Sequence, residues 1–239
     1  MSLEKKLLRW LFRKPINKFK GWSGENITTF NIWLNIDSNN YHRFHNVIIP
    51  GKNGTAQLDN LLVSRYGIFI IETKNKKGWL YGFEHQSKWT QTLYGKKYTF
   101  QNPLRQTFRQ KKVLASFLNL KESIIHPVIH FVGDCSLKSN FPPNVIISGL
   151  ASYIKQFDIN VISEEEFDRI LSKLNEHISS STLTTQDHIQ SLKKRFSSNT
   201  VCPKCGSNLI IKTAKSGSKV GSQFLGCKSF PKCRFTKNL

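Results

Sequence analysis

The chain has 239 residues, 38% of them hydrophobic, enough for one sizeable apolar core and a small accessory module. With 36 Lys and Arg against 15 Asp and Glu, the net charge is +21, which makes an anionic polymer or surface the expected partner. A spanning helix is excluded because no apolar run reaches about 18 residues, and five clustered cysteines exclude a disulfide scaffold and suit a reducing cytoplasm.

Met1 to Lys14 is basic, with a short apolar patch broken by Arg9. It lacks the uncharged stretch of a signal peptide and reads as an amphipathic helix ending near Pro15. Docking on the domain is its expected use, with peripheral membrane contact as the alternative. Ser23 can cap a second helix, in which Ile27, Phe30, Trp33 and Leu34 follow helical spacing and Glu25 falls in the first turn. Arg43 to Pro50 reads as the first strand, and residues 51–54 as a turn. His42 and His45 would point to opposite faces of that strand and do not share a metal.

The stretch from Thr55 to Lys77 organises the chain. Two β-branched-rich runs, Leu58 to Ser64 and Ile68 to Thr73, flank Arg65-Tyr66-Gly67 and predict a β-hairpin. With a two-residue loop, Asp59, Glu72 and Lys74 share one face of the sheet. An Arg65-Tyr66 loop sets Asp59 opposite Glu72, whereas a Tyr66-Gly67 loop sets it opposite Lys74. Both faces of the strands are apolar, as in a central strand covered on two sides. Carboxylates at such strand ends need compensation, which either an Asp-Glu-Lys ion-pair ladder or a divalent cation supplies.

Further strands are expected at Gly78 to Phe83, Lys88 to Leu93 and Lys97 to Phe100. Here Trp79, Tyr81, Trp89, Tyr94, Tyr98 and Phe100 interleave with lysines that include Lys76 and Lys77. Such a hairpin can hold nucleic-acid backbone and stack bases, but most of the rings are expected to pack inward. Asn102-Pro103 opens a helix to about Leu120, on which Arg105, Arg109, Lys111 and Lys112 form a phosphate-facing surface. Val128 to Val132 and Asn144 to Ser148 complete an α/β sheet. Ser163-Glu164-Glu165-Glu166 caps one more helix, Thr184 to Phe196 forms another, and Ser197-Ser198-Asn199 reads as a linker.

From Val201 onward the chain is basic and has no acidic residue. Cys202, Cys205, Cys227 and Cys233 form two knuckles separated by a hairpin-sized spacer, a spacing that suits a closed, structural Zn²⁺ site. So short a segment depends on the metal for much of its folding free energy.

Two resemblances sharpen this reading. Gln57-Leu58-Asp59, the run Gly67 to Asn75, Gly78-Trp79, Trp89 and Gln101 to Gln106 closely resemble the nuclease-related domain (NERD) family over about residues 21 to 120. Asp59 with Glu72-Thr73-Lys74 resembles the PD-(D/E)xK arrangement of restriction-endonuclease-like nucleases, although Leu58 replaces the usual proline. The resemblance implies an α/β, restriction-endonuclease-like core with a mixed central sheet flanked by helices. It implies Mg²⁺ or Mn²⁺ on Asp59, Glu72 and Glu25, and Lys74 serving the attacking water and the transition-state charge. Gln57 and Gln101 become candidates for substrate contact or for support of the ligands.

Residues 200–239 resemble the C4 zinc ribbon at the end of type IA topoisomerases, through CPKCG, GSQFLGC and the Phe-Pro-x-Cys ending. That implies single-stranded DNA binding, with Phe224, Phe230 and Phe235 stacking beside Lys228, Lys232 and Arg234. The expected organisation is a basic helix at 1–20, the nuclease-related core at 21–135, an α/β extension and linker at 136–199, and the ribbon at 200–239. The expected function is metal-dependent endonucleolytic hydrolysis of single-stranded or branched DNA, tethered by the ribbon, with RNA as a further possible substrate. The alternative is a non-catalytic nucleic-acid-binding platform.

Overall fold

A computed structural model describes residues 36–218 and 220–239. The two helices expected before residue 36, and Glu25 with them, lie outside the described residues. Two tight hairpins come first among the described strands. β1 (His42–Gly51) turns into β2 (Gly54–Ser64) through Lys52-Asn53, and β2 turns into β3 (Gly67–Asn75) through Arg65-Tyr66. Gly67, at φ 142°, accepts a backbone conformation that closes the second turn and that L side chains rarely adopt. Ser64 pairs with Gly67 and Asn60 with Ile71, so of the two loops the sequence left open, the structure has Arg65-Tyr66.

The chain then forms β4 (Gly78–Tyr81), β5 (Lys88–Leu93), β6 (Lys96–Gln101) and helix α1 (Pro103–Leu118). It continues through β7 (Ile125–Val132), the unexpected three-residue β8 (Cys135–Leu137) and β9 (Val145–Ile146). One mixed sheet has the order β1-β2-β3-β7-β9, antiparallel up to β3 and parallel beyond it. A second has the order β6-β5-β4-β8. β3 and β7 leave the first sheet side by side and pair again in the second as β4 and β8. At the crossing, Lys76 N–H donates to the Val132 carbonyl at 2.9 Å and Gly78 N–H to that of Asp134 at 2.8 Å. Gly133 is required there, because a Cβ would meet the Lys76 carbonyl oxygen at 2.5 Å.

Helices cover both faces of β2 and β3, as their two-sided apolar pattern demands. α1 starts at Asn102, whose side chain caps Leu104 N–H and donates to the Glu84 and Gln86 carbonyls, with Pro103 at the first helical position. Its Val113, Leu114 and Leu118 pack on Leu58, Leu61, Ile68 and Ile70, joined by Ile170 and Leu174 of α3 (Glu164–Ser180). On the opposite face, Leu62, Phe69 and Ile71 meet Leu150 and Ile154 of α2 (Leu150–Ile154). Each such side chain contributes about 1.5–3 kcal/mol when fully buried.

Strict alternation fails at one point. Leu58 and Leu61, three apart, enter the same core, as do Phe44 and Val47 on the neighbouring strand. Both strands therefore change phase between these pairs, where Asn46 takes φ 50° and His45 Nδ1 meets Asn60 Oδ1 at 2.8 Å. The aromatic hairpin also differs from expectation: Trp89 fills the core, but Trp79, Tyr94 and Tyr98 are exposed. Strands β5 and β6 project beyond the layer that buries Trp89, so rings farther along them meet solvent.

Helix α4 (Thr185–Ser197), with a Thr184/Asp187 capping box, lies at the start of β2, where Ser191 Oγ accepts Thr55 N–H at 2.9 Å. Beyond it, β10 (Leu209–Thr213), β11 (Gln223–Cys227) and β12 (Thr236–Asn238) form an antiparallel ribbon. The stretch read as a linker is held in place. Lys237 Nζ donates to the Ser197 and Ser198 carbonyls at 3.0 and 3.3 Å and to Asn199 Oδ1 at 2.6 Å. Among the described residues, no helix is long and apolar enough to cross a membrane.

Candidate functional site

The β2–β3 ladder ends at Asn60 opposite Ile71. Beyond it β2 stays paired only with β1, down to Gly54, and β3 only with β7, out to Asn75. Asp59 and Glu72 are the first residues past the last pair, at the mouth of a fork between two strands. Asp59 Oδ2 reaches across to Thr73 N–H at 3.4 Å.

Glu72 is only 1% exposed, and a buried carboxylate is costly unless its oxygens are satisfied. Lys74 Nζ and Gln106 Nε2 donate to Oε1 at 2.5 and 2.8 Å, and Gln110 Nε2 donates to Oε2 at 2.8 Å. Lys74 Nζ also reaches Gln106 Oε1 at 3.2 Å, and Gln110 Nε2 the Gln57 carbonyl at 2.9 Å. Helix α1 thus presents two carboxamides one turn apart to a single strand carboxylate. Two carboxylates at adjoining positions fit a hard divalent cation that keeps several of its waters. The buried Gln110 Oε1, which has no hydrogen-bond partner, is a ready acceptor for such a water.

Of the other residues singled out from sequence, Gln57, Gln101, Arg105 and Arg109 line one cavity together with Gln106 and Gln110. Gln57 turns its side chain to Asn46, and only its carbonyl meets the Glu72 network. Gln101 is exposed at the end of β6. Lys76 Nζ sits 4.3 Å above the Phe100 ring, its pKa pulled down by burial and then by Lys74, while Lys77 is exposed. Arg105 donates to the His85 carbonyl at 2.7 Å. Arg109 is buried in the wall of that cavity and donates to the Asn53 carbonyl at 2.9 Å. Gln110 was missed by sequence reasoning, although a polar residue one turn after Gln106 on a core-facing helix stripe was the available signal.

In the ribbon, the four cysteine sulfurs lie within 4.8 Å of one another. Cys202 and Cys233 are 3.7 Å apart, and Cys205 and Cys227 are 3.3 Å apart. That spacing fits tetrahedral Zn²⁺ with Zn–S bonds of about 2.3 Å. The hydrogen bond between Cys202 and Cys233 holds the Cys202 thiol below its ordinary range and pushes the Cys233 thiol up. Of the three phenylalanines, Phe235 packs into the ribbon core and Phe224 is half-buried. Phe230 is 57% exposed, with Lys212 Nζ 5.0 Å and the Arg234 guanidinium 5.7 Å from its ring centre. Lys228, Lys232 and Arg234 are exposed around it.

This geometry defines a mixed α/β nuclease-like domain followed by a four-cysteine ribbon. Residues 20–132 match the nuclease-related domain, and residues 199–239 match the topoisomerase DNA binding C4 zinc finger. The chain thus joins a segment similar to the nuclease-related domain to one similar to the topoisomerase C4 zinc finger, with its four cysteines gathered. An uncharacterized protein of Bacillus anthracis is 33% identical over 132 residues, 55% of this chain and 61% of that protein. DNA topoisomerase 1 of Methanothermobacter thermautotrophicus is 54% identical over 35 residues, 15% of this chain and 4% of the topoisomerase. The chain therefore spans about three fifths of the first relative and a small part of the second. No solved structure matches it.

Proposed function

We propose that the chain is a DNA-processing phosphodiesterase of the PD-(D/E)xK type, dependent on Mg²⁺ or Mn²⁺ and tethered to DNA by its zinc ribbon. The observation that carries this reading is the fork that leaves Asp59 and Glu72 as the first residues past the last β2–β3 pair, with the Glu72 carboxylate fixed by Gln106, Gln110 and Lys74. Asp59 and Glu72 would hold the cation, joined by Glu25 if the family pattern applies. When bound, the cation supplies an activated water and polarises the phosphoryl oxygen. The two glutamines keep Glu72 in one orientation, so little reorganisation is needed as charge develops. Lys74 Nζ, pivoting from Glu72 Oε1, brings a positive charge to a phosphate oxygen or to the water. Phe230 and its flanking cations give the ribbon a stacking platform for an unpaired base, and the tether raises the local concentration of substrate at the fork.

One observation favours a second reading. The 2.5 Å Lys74–Glu72 pair already neutralises the buried carboxylate, as a non-catalytic DNA-binding platform requires. Cleavage of single-stranded, branched and duplex DNA by wild type, Glu72→Ala and Lys74→Ala, with and without added Mg²⁺ or Mn²⁺, separates the two. The nuclease reading expects metal-dependent cleavage by wild type and a loss of about 100-fold or more in each variant. Equal binding by all three proteins with no cleavage on any substrate establishes the platform instead.

A further inference from the structure

A cavity of about 500 Å³ lies between β2, α1, α4 and the first ribbon knuckle. Arg105 and Arg109 of α1, Arg195, His188 and Lys193 of α4, and Lys204 between two zinc ligands line it, with no Asp or Glu among the described lining residues. Two of these guanidiniums are sunk in its wall. Arg109 is 9% exposed and Arg195 7%, each donates from one terminal nitrogen to a carbonyl (Asn53 and Thr55), and each has a buried Nε with no partner. Burial, and then the like charge of Arg109, push Arg195 down to about 10, which still leaves it charged at neutral pH. Arg109 and Arg195 repel one another with no carboxylate in the described lining, the Cys202 and Cys205 thiolates offset only Arg109, and a guanidinium offers paired donors that match phosphate.

The cavity also has an address. Gln106 and Gln110, which hold Glu72, form part of its wall. Arg105 and Lys204 are shared with a second cavity of about 320 Å³, lined also by Lys232, Arg234 and one acidic residue, Glu84. Arg234 is the cation beside the exposed Phe230 ring. A basic path therefore runs from the ribbon's aromatic platform, past Lys204 and Arg195, to the carboxylate fork. Cavities of this size take a nucleotide or two, and sunken guanidiniums are reached by a projecting phosphate of a flexible strand rather than by the surface of a duplex.

We propose that this cavity is a phosphate seat for single-stranded nucleic acid, built jointly by the core and the ribbon, which registers the strand between Phe230 and Glu72. The inference deepens the reading of the fork as a cleavage centre. Its test is binding by zinc-loaded full-length protein without added Mg²⁺ or Mn²⁺, so either reading can fail alone. Fluorescence anisotropy with a short oligonucleotide, with and without a 5′-phosphate, and with a blunt duplex compares wild type, Arg195→Gln and Lys204→Gln across salt concentrations. Zinc content and circular dichroism confirm folding, and Lys204→Gln, on the knuckle, keeps the test alive should Arg195→Gln fail to fold.

The expected result is about tenfold weaker single-strand binding per variant, with the salt slope falling by about 0.7 for each phosphate no longer neutralised and duplex binding unchanged. Weakening with both oligonucleotides means that the strand runs through the cavity; weakening only with the phosphorylated one means that its end sits there. Unchanged affinity and slope in both variants, or an equal weakening for duplex, overturn the proposal.

Discussion

In the core, Leu58, Leu61, Leu62, Ile68, Ile70 and Ile71 are all fully buried between helices on two sides, whereas the ribbon's buried interior is Leu209, Leu225 and three of its own cysteines. Ile210 and Ile211, on a ribbon strand, face outward. The first region is held by apolar area, the second by thiolates gathered around a metal. Stability in one therefore says little about stability in the other, although Lys237 and Asn53 tie them together.

Zinc removal probes the difference most strongly. Structural zinc contributes on the order of 10 kcal/mol to modules of this size, so a chelator or Cys227→Ser unfolds the ribbon while the sheet of the core persists. Limited proteolysis then cuts beyond about residue 199, and calorimetry retains a core transition; a single joint transition lost with the metal breaks the comparison. Next in size is a pair of truncations. Leu61→Ala costs the core about 2–5 kcal/mol, whereas Leu225→Ala in the zinc-loaded ribbon leaves the core midpoint in urea unmoved.

The smallest effect depends on pH. Burial holds His130 down to about 4, against about 6.5 in the unfolded chain, so the stability linked to its neutral form is complete above 6.5 and lost as pH falls towards 4. The full loss is about 3 kcal/mol. The ribbon contains no histidine. Denaturation midpoints of the core between pH 7 and 4 for wild type and His130→Gln check this, and equal slopes remove His130 from the account.

Much of this architecture can be read along the chain because local rules act alone there. The two-residue Arg65-Tyr66 loop sets the register of β2 against β3 as far as Asn60 and Ile71, and cysteine spacing marks the ribbon. Other features are hidden because they arise between distant segments. The phase change at Asn46 and Asp59-Asn60 arises in two paired strands at once, and no single strand's pattern shows it. Arg195 closes the basic run Lys193-Lys194-Arg195 at the end of its helix, and its burial comes from a carbonyl 140 residues earlier in the chain, that of Thr55. Trp79, Tyr94 and Tyr98 look like core residues by type, but the sheet carries them past the layer that could cover them.

Lys204 occupies two structures at once: it stands between two zinc ligands and forms part of the wall of the basic cavity. Occupancy of the two is thereby linked, and linkage is reciprocal. An anion that binds better to the ordered knuckle raises the ribbon's affinity for zinc by the same free energy with which zinc tightens the grip on the anion. Metal retention in the ribbon thus becomes a gauge of whether the cavity is filled, read at a distance from the carboxylates and independent of any bond being cut.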